Sequence, residues 1–332
     1  MGFKVIILAF ISSVSESIVY CLLAYHPAFL DHDAGPDHPE RADRVIAVMD
    51  ALREVDWADR IEIIEAREAT QAEVALAHDL RYVEAIRRLC DAGGEFLPAL
   101  EGNVGRATYR AALRAVGAGL TLVDRIMAGE AKVGFAPVRP PGHHAVWDRP
   151  MGFCVFNNIA ALAKYLQQKH GLRRIFIFDF DVHHGNGVES AFWSDPTVFY
   201  CSIHRDNLYP YNKGKIEHTG GGAAKGLTLN IPLPAGSGDE EYLGAIDSLV
   251  MHRVKEFDPE IVLVSAGFDA HILDPLGGMR LTTAGFAAIA DRVGTMTEGS
   301  AQGRSISLLE GGYDLRALTE AVPAYLKQLI CR

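Results

Sequence analysis

Eight short apolar runs, rich in β-branched and aromatic residues, recur along this chain of 332 residues and limit the folds open to it. Most of them are nearly continuous apolar stretches, which is the pattern of strands buried on both faces of a sheet. The predicted strands lie at residues 19–24, 61–65, 133–138, 175–179, 198–203, 227–231, 261–265 and 306–309.

Segments with helical periodicity fill most of the gaps between these strands. They lie at residues 39–52, 80–92, 105–127, 158–169, 240–257, 283–296 and 314–329. Strands that alternate with helices predict a mainly parallel sheet between two helical layers. Because no repeat, low-complexity tract or linker divides the chain, we predict an α/β fold with a single domain over residues 17–332.

Residues 1–16 form a separate N-terminal segment. Residues 2–11 are strongly apolar and resemble a short signal-peptide core, but polar residues follow and no small-x-small cleavage site does. The run is also too short to span a bilayer. We predict an N-terminal extension, and export stays open as an alternative.

Composition narrows the class of protein. Hydrophobic residues make up 49% and charged residues 22%, which is typical of a globular protein with a large core. A formal net charge of −10 argues against a protein dedicated to binding nucleic acid or anionic membranes. The five cysteines contain no Cys-x-x-Cys pair, so we expect no disulfide framework and predict a reducing, cytoplasmic location.

Ligands of open parallel sheets bind outside the carboxyl ends of the strands. Function should therefore be sought in the junctions that follow the predicted strands. Four of these junctions are rich in polar residues and glycine, and they lie at residues 139–145, 179–187, 266–278 and 310–314. We expect the four junctions to meet at one edge of the sheet.

Two of the junctions supply a candidate metal site. Residues 178–187 read Phe-Asp-Phe-Asp-Val-His-His-Gly-Asn-Gly, and side-chain alternation on a strand would put Asp179, Asp181 and His183 on one face. Asp269 offers a third ligand after a later strand. Two carboxylates and an imidazole leave positions for water and substrate, as in a catalytic zinc site. The alternative is a strand end with solvated polar side chains.

The other two junctions supply acid, base and oxyanion groups. His143 and His144 follow a Pro-Pro-Gly turn, which would let both imidazoles line one cavity. Such a pair suits a hydrolase that activates water with one base and stabilises charge with a second group. Tyr313 follows two glycines, and its hydroxyl could stabilise an oxyanion.

Taken together, these motifs resemble those of the zinc-dependent histone deacetylase superfamily, and most of all class II deacetylases and bacterial deacetylase-like amidohydrolases. The resemblance begins near residue 24, includes His-Pro-Glu-Arg at residues 38–41 and extends to the C-terminus. It implies the arginase/deacetylase fold, a three-layer α/β/α sandwich with an eight-stranded sheet. The matching motifs are Arg-Pro-Pro-Gly-His-His-Ala (139–145), Gly-Phe-Cys-Val-Phe-Asn-Asn (152–158), Asp-Phe-Asp-Val-His-His-Gly-Asn-Gly (179–187), Gly-Phe-Asp-Ala-His (267–271) and Glu-Gly-Gly-Tyr (310–313).

The resemblance also implies roles for individual residues. They are zinc ligation by Asp181, His183 and Asp269, general base and acid catalysis by His144, charge stabilisation by His143, support of His143 by Asp179 and of His144 by Asn186, and transition-state stabilisation by Tyr313. Class I members carry aspartate where Asn186 lies. An amide should raise the pKa of the histidine less than a carboxylate would.

Substrate and ion preferences follow from the same resemblance. Phe153, next to Gly152, and Tyr209 would form the two walls of an acyl-lysine tunnel. Leu276 lies where polyamine-specific relatives carry a glutamate, and leucine cannot pair with a substrate ammonium group. Besides zinc, the family binds a structural potassium ion at side chains matched by Asp179 and Ser202.

We therefore predict a zinc-dependent deacetylase that acts on acyl-lysine peptides or proteins, or on similar linear acylated amines. An acetylpolyamine or other small-molecule amidohydrolase is the first alternative, and a non-catalytic acyl-lysine binding protein is the second. An arginase-like dinuclear manganese hydrolase is disfavoured, because the junctions offer few further carboxylates. Iron(II) in place of zinc and assembly into a homo-oligomer stay open.

Overall fold

An eight-stranded parallel sheet forms the centre of the protein in the computed structural model, which describes residues 20–331. The strand order is β2-β1-β5-β10-β9-β6-β7-β8, and β3 pairs with β4 in a separate antiparallel hairpin. In chain order the strands are β1 (Cys21–Tyr25), β2 (Ile61–Glu65), β3 (Gly94–Leu97), β4 (Gly102–Gly105), β5 (Val133–Ala136), β6 (Ile175–Asp179), β7 (Val198–Arg205), β8 (Thr228–Leu233), β9 (Ile261–Ala266) and β10 (Ser305–Leu309).

Helices cover both faces of the sheet. In chain order they are α1 (Ala42–Glu54), α2 (Gln71–Val74), α3 (Leu80–Ala92), α4 (Thr108–Met127), α5 (Asn158–His170), α6 (Asn186–Phe192), α7 (Asp239–Ala245), α8 (Met251–Phe257), α9 (Thr283–Met296) and α10 (Leu315–Ile330). No helix within residues 20–331 is long and apolar enough to cross a membrane.

Side-chain alternation along the strands produces two hydrophobic cores. On β6, Ile175 and Ile177 join the core beneath α3, α4, α5 and α6, whereas Phe176 and Phe178 join the core beneath α1, α7, α8, α9 and α10. Strands β5, β6, β9 and β10 are buried at every residue, as nearly continuous apolar runs predict, whereas the edge strand β2 is buried only at Ile64. The predicted three-layer α/β/α sandwich with eight strands is confirmed.

The differences from the prediction are local. The predicted helix at 240–257 is α7 and α8, joined by one π-helical turn at Ile246–Val250. The predicted helix at 105–127 begins instead at Thr108, because the preceding residues form β4. Two short helices, α2 and α6, and the β3–β4 hairpin were not predicted. The predicted extension at 1–16 and the first residue of the first predicted strand lie outside the described residues.

The sheet order determines where the candidate site can form. The four strands that precede the polar junctions are β5, β10, β9 and β6, and they are adjacent in the sheet. They are parallel, so their carboxyl ends lie at the same edge. The four junctions therefore meet there.

Candidate active site

Asp181, His183 and Asp269 converge at this edge. Their potential ligand atoms all lie within 4.8 Å of one another, and both carboxylates are fully buried. His183 Nδ1 lies 3.1 Å from Asp181 Oδ1 and 3.1 Å from Asp269 Oδ2. Strand β6 ends at Asp179, so strand alternation cannot account for the position of His183. A loop brings these side chains together.

The two carboxylates repel each other. Burial and the charge of Asp181 raise the pKa of Asp269 to about 7. Burial acts in the same direction on Asp181, but the charges of His143 and His183 outweigh it and lower the pKa of Asp181. A divalent cation would relieve this repulsion, so two carboxylates and one imidazole fit an ion of the zinc class.

Backbone groups hold the two carboxylates in place. Val182 N–H donates to Asp269 Oδ1 at 2.9 Å, and Gly311 N–H donates to Asp181 Oδ2 at 2.7 Å. A Cβ atom at Gly311 would lie 2.0 Å from Asp269 Oδ2, so only glycine permits this approach. Asp181 Oδ1 also accepts the backbone N–H of His183 at 2.9 Å, so both oxygens of Asp181 and one oxygen of Asp269 have a backbone donor.

His143 is buried beside acidic groups. Its ring Nδ1 lies 3.1 Å from Asp179 Oδ2, and its Nε2 lies 3.9 Å from Asp181 Oδ1. Burial lowers the pKa of His143, but the charges of Asp181 and Asp179 outweigh burial and raise that pKa to about 10. His143 is therefore positively charged near neutral pH, although a cation bound at Asp181 would reduce the shift.

His144 is neutral, although its ring centre lies only 4.0 Å from that of the charged His143. Burial, followed by the charges of His143 and His183, lowers the pKa of His144 well below its usual value. Asn186 Nδ2 donates to the His144 carbonyl at 3.3 Å, so Asn186 Oδ1 accepts from His144 Nδ1 at 2.8 Å. This tautomer leaves His144 Nε2 as the unprotonated nitrogen.

Tyr313 lies near the carboxylates of Asp269 and Asp181. Burial and the charge of Asp269 raise the pKa of Tyr313 well above its usual value, so the hydroxyl keeps its proton. The ring is 6.0 Å from that of Phe153, edge to face, and the Arg44 guanidinium lies 4.9 Å from its centre. A protonated phenol beside the candidate metal ligands can donate to an oxyanion.

The predicted tunnel residues lie around these groups. Gly152 has a φ of +51°, and a Cβ atom there would lie 2.6 Å from His144 and 2.7 Å from Tyr209. The Tyr209 ring is 5.1 Å from that of His144, while Phe153 contacts Tyr313. Leu276 is 37% exposed. Contact of the substrate with Phe153, Tyr209 and Leu276 stays a prediction.

Asp179 and Ser202, the predicted potassium ligands, are paired residues on the adjacent strands β6 and β7. Both side chains already have protein partners. Ser202 Oγ lies 2.9 Å from His204 Nδ1, and Asp179 Oδ2 accepts from the Tyr200 hydroxyl at 3.1 Å as well as bonding His143. Potassium binding stays a prediction.

A buried ion network next to the site was not predicted. Glu40 Oε1 accepts from Arg139 Nε at 2.6 Å and from Arg44 Nη1 at 3.2 Å, and all three side chains are buried. Arg44 also donates to the carbonyls of Gly312 and Glu310, each at 2.5 Å. The network joins the loop between β1 and α1 to the junctions that carry His143 and Tyr313. Glu40 and Arg139 belong to quoted motifs, but nothing in the sequence shows that they pair.

His143, Cys154 and Glu310 form a second buried group whose potential ligand atoms lie within 4.8 Å. One oxygen of Glu310 already accepts the backbone N–H groups of Gly142 at 2.7 Å and His143 at 3.1 Å. Burial raises the pKa of the Cys154 thiol well above its usual value, which disfavours the thiolate that a metal needs. We assign no metal to this group.

Known proteins similar to this chain were found by sequence and by structure. The sequence profile of the histone deacetylase domain matches residues 38–329. Histone deacetylase 10, chloroplastic, of Oryza sativa subsp. japonica is 42% identical over 301 residues, which cover 86% of this chain and 68% of that protein. The polyamine deacetylase HDAC10 of Homo sapiens is 40% identical over 301 residues, which cover 88% of this chain and 44% of that protein. The structure of the HDA15 HD domain matches with a TM-score of 0.88 and 33% identity, covering 95% of this chain and 89% of that one.

Proposed function

Because the chain belongs to the histone deacetylase family, we propose that it is a zinc-dependent hydrolase that removes acetyl or other short acyl groups from lysine ε-amines or similar linear amines. The observation that carries this proposal is the convergence of the Asp181, His183 and Asp269 ligand atoms at the carboxyl edge of the sheet, beside a neutral His144. A zinc ion bound there would supply a Lewis acid for the acyl carbonyl and would lower the pKa of water.

The histidine pair divides the proton chemistry. His144, with Nε2 unprotonated, accepts the proton of the attacking water and later delivers it to the leaving amine. Asn186 holds the ring in the required tautomer. His143, charged because of Asp181 and Asp179, stabilises negative charge that develops on the substrate. The two histidines cannot exchange these tasks, because their pKa values are shifted in opposite directions.

Tyr313 donates its hydroxyl proton in a hydrogen bond to the developing oxyanion. Its raised pKa keeps that proton in place at neutral pH. Phe153 and Tyr209 enclose the aliphatic stem of the substrate by apolar contact. Such a tunnel admits a linear alkyl chain and excludes branched side chains.

The substrate class depends on the tunnel mouth. Leu276 offers no charge to a second substrate ammonium group, which favours acyl-lysine over acetylpolyamine. The alternative, an acetylpolyamine amidohydrolase, draws support from the human relative named a polyamine deacetylase. Three exposed residues in the loop between β1 and α1, Asp31, Asp33 and Asp37, could also attract a cation. We retain acyl-lysine as the proposal.

Three other parts of the proposal concern ions and location. A structural potassium ion would bind at Asp179 and Ser202, and iron(II) could occupy the Asp181, His183 and Asp269 set in place of zinc. We propose a cytoplasmic location because the chain lacks a disulfide framework.

The proposal is tested by comparing hydrolysis of an acetyl-lysine peptide and of N-acetylputrescine by zinc-reconstituted protein. We expect the peptide to have the higher kcat/KM. Preference for the polyamine would contradict the role given to Leu276 and favour the alternative. Bound metal without hydrolysis of either compound, or of longer acyl-lysines, would instead favour a non-catalytic acyl-lysine binding protein.

A further inference from the structure

The carboxylate of Asp274 joins two segments of the proposed site that are distant in sequence. Its Oδ1 accepts the backbone N–H groups of Leu276 at 2.9 Å and Gly277 at 3.2 Å. Its Oδ2 accepts the backbone N–H of Tyr313 at 2.7 Å. Asp274 is only 8% exposed, so the surrounding protein shields these bonds from water.

The Oδ1 bonds fix the segment that carries Leu276. An aspartate that accepts from the residues two and three positions ahead closes an Asx turn. Arg205 Nη1 holds the same segment by donating to the Gly277 carbonyl at 3.1 Å. A Cβ atom at Gly277 would lie 1.8 Å from the Asp269 carbonyl oxygen, so the turn packs directly on the loop that supplies a proposed metal ligand.

The Oδ2 bond fixes the backbone at Tyr313. The two preceding residues are held by other partners, because Gly311 N–H donates to Asp181 and the Gly312 carbonyl accepts from Arg44. Gly312 has a φ of +117°, a conformation that other residues rarely adopt. Asp274 supplies the next bond in this series, and it does so at the residue whose side chain must be aimed.

We infer that Asp274 is a positioning residue that aims Tyr313 at the oxyanion and ties its orientation to the tunnel segment carrying Leu276; this inference rests on the proposed deacetylation. The two oxygens have separable effects. Loss of the Oδ2 bond lowers kcat, because it loosens Tyr313. Loss of the Oδ1 bonds raises KM, because it loosens the segment around Leu276.

Asp274→Ser separates the two effects. A serine hydroxyl can accept the turn bond from Leu276, but it is one atom shorter and cannot reach Tyr313. On an acetyl-lysine peptide we expect kcat to fall about tenfold, a part of the full oxyanion contribution, while KM stays within about twofold. In a Tyr313→Phe background the same change should alter kcat by less than about twofold, because the hydroxyl that Asp274 aims is absent.

Asp239→Asn is the matched control. Its carboxylate also holds a loop, accepting from Thr282 N–H at 2.8 Å and from Thr282 Oγ1 at 2.6 Å, but it makes no bond to Tyr313. We expect kcat of this variant to stay within about twofold of the wild type. If Asp274→Ser does not fold, Asp274→Asn takes its place, and the same loss of additivity with Tyr313→Phe is expected.

Amide hydrogen exchange at Tyr313 gives a readout that needs no substrate. We expect exchange at least about tenfold faster in Asp274→Ser and unchanged in Asp239→Asn. The inference is overturned if exchange is unchanged, if kcat is unchanged, or if the kcat loss persists in the Tyr313→Phe background. A wild-type protein inactive on every acyl substrate would contradict the proposed function instead, and exchange would still decide whether Asp274 holds Tyr313.

Discussion

His143 and His144 are adjacent and buried, yet their surroundings shift the two pKa values in opposite directions. Asp179 contacts His143 with a carboxylate, whereas Asn186 contacts His144 with an amide. Two imidazolium rings 4.0 Å apart would repel strongly at low local dielectric. Charge on His143 therefore helps to keep His144 neutral. The hydrogen bond to Asn186 raises the pKa of His144, but burial and the charges of His143 and His183 outweigh it.

Asn186→Asp should move the acid limb of the activity profile to higher pH. A carboxylate behind His144 stabilises the imidazolium and raises its pKa, whereas catalysis needs the neutral ring. At a pH near the raised pKa, a larger fraction of the variant is inactive. The measurement is kcat/KM against pH for both proteins. An acid limb that stays in place or moves to lower pH would contradict the assignment of His144 as the base.

Tyr313→Phe should lower kcat by about 100- to 1000-fold, the scale for losing one oxyanion donor. The ring contacts with Phe153 and Arg44 are retained, so we expect unchanged metal content and thermal stability. Steady-state kinetics with metal analysis check this result. Tyr325→Phe serves as the control, because the hydroxyl of this fully buried tyrosine lies 2.9 Å from Ser307 Oγ in the core. Full activity of Tyr313→Phe would contradict the oxyanion role.

At the scale of elements, what the sequence could predict depends on how local the signal is. Most strands of the central sheet were predicted because they are nearly continuous apolar runs buried on both faces. The hairpin of β3 and β4 has glycine at three of its four strand ends and little apolar sequence, so no apolar run predicts it. The convergence of Asp181, His183 and Asp269 was predictable, because each lies in a junction that follows a strand. The pairing of Glu40 with Arg139 was not predictable, because the two residues are 99 positions apart.

Glu40→Gln should destabilise the protein by about 3–5 kcal/mol, the scale for removing one partner of a buried ion pair. The amide can still accept a hydrogen bond, but the charges of Arg44 and Arg139 remain buried without a counter-ion. Urea unfolding measures the difference. Asp50→Asn is the control, because the Asp50–Arg53 pair is exposed and should contribute no more than about 1 kcal/mol. Equal effects of the two changes would refute the argument.

Two helical glycines should respond oppositely to alanine. A Cβ atom at Gly117 in α4 would lie 1.9 Å from the Arg67 carbonyl oxygen, whereas one at Gly244 in α7 would meet nothing within 4 Å. Gly117→Ala should cost about 1–3 kcal/mol through overpacking. Gly244→Ala should stabilise by about 0.4–1 kcal/mol, because alanine restricts the unfolded chain. Thermal unfolding of both variants checks the contrast, and stabilisation by Gly117→Ala would contradict the close approach.

At the scale of the whole molecule, the sheet order explains why one site forms from four distant segments. Strands β5, β10, β9 and β6 are adjacent and parallel, so the junctions that follow them converge at one edge of the sheet. The sequence predicted which strands and junctions exist but not their order, because order depends on pairing between strands far apart in the chain. The same convergence concentrates acidic groups, and the protein must stabilise them together.

Metal removal should therefore destabilise the whole domain, and more so at higher pH. Burial and the charge of Asp181 raise the pKa of Asp269 to about 7, so the metal-free folded protein holds this proton more tightly than the unfolded chain does. Its folded-state stability accordingly falls as pH rises from about 4 through 7, because ionisation forces two buried carboxylates together. A cation binds the ionised form and removes that penalty, so the gain in melting temperature on adding zinc should be larger at pH of about 7.5 than at about 5.5. Calorimetry of zinc-loaded and metal-stripped protein at both pH values measures this difference. Asp269→Asn, which lacks the titrating ligand, should show little zinc-dependent gain at either pH, and an equal gain at both pH values in the wild type would refute the coupling between Asp269 and the cation.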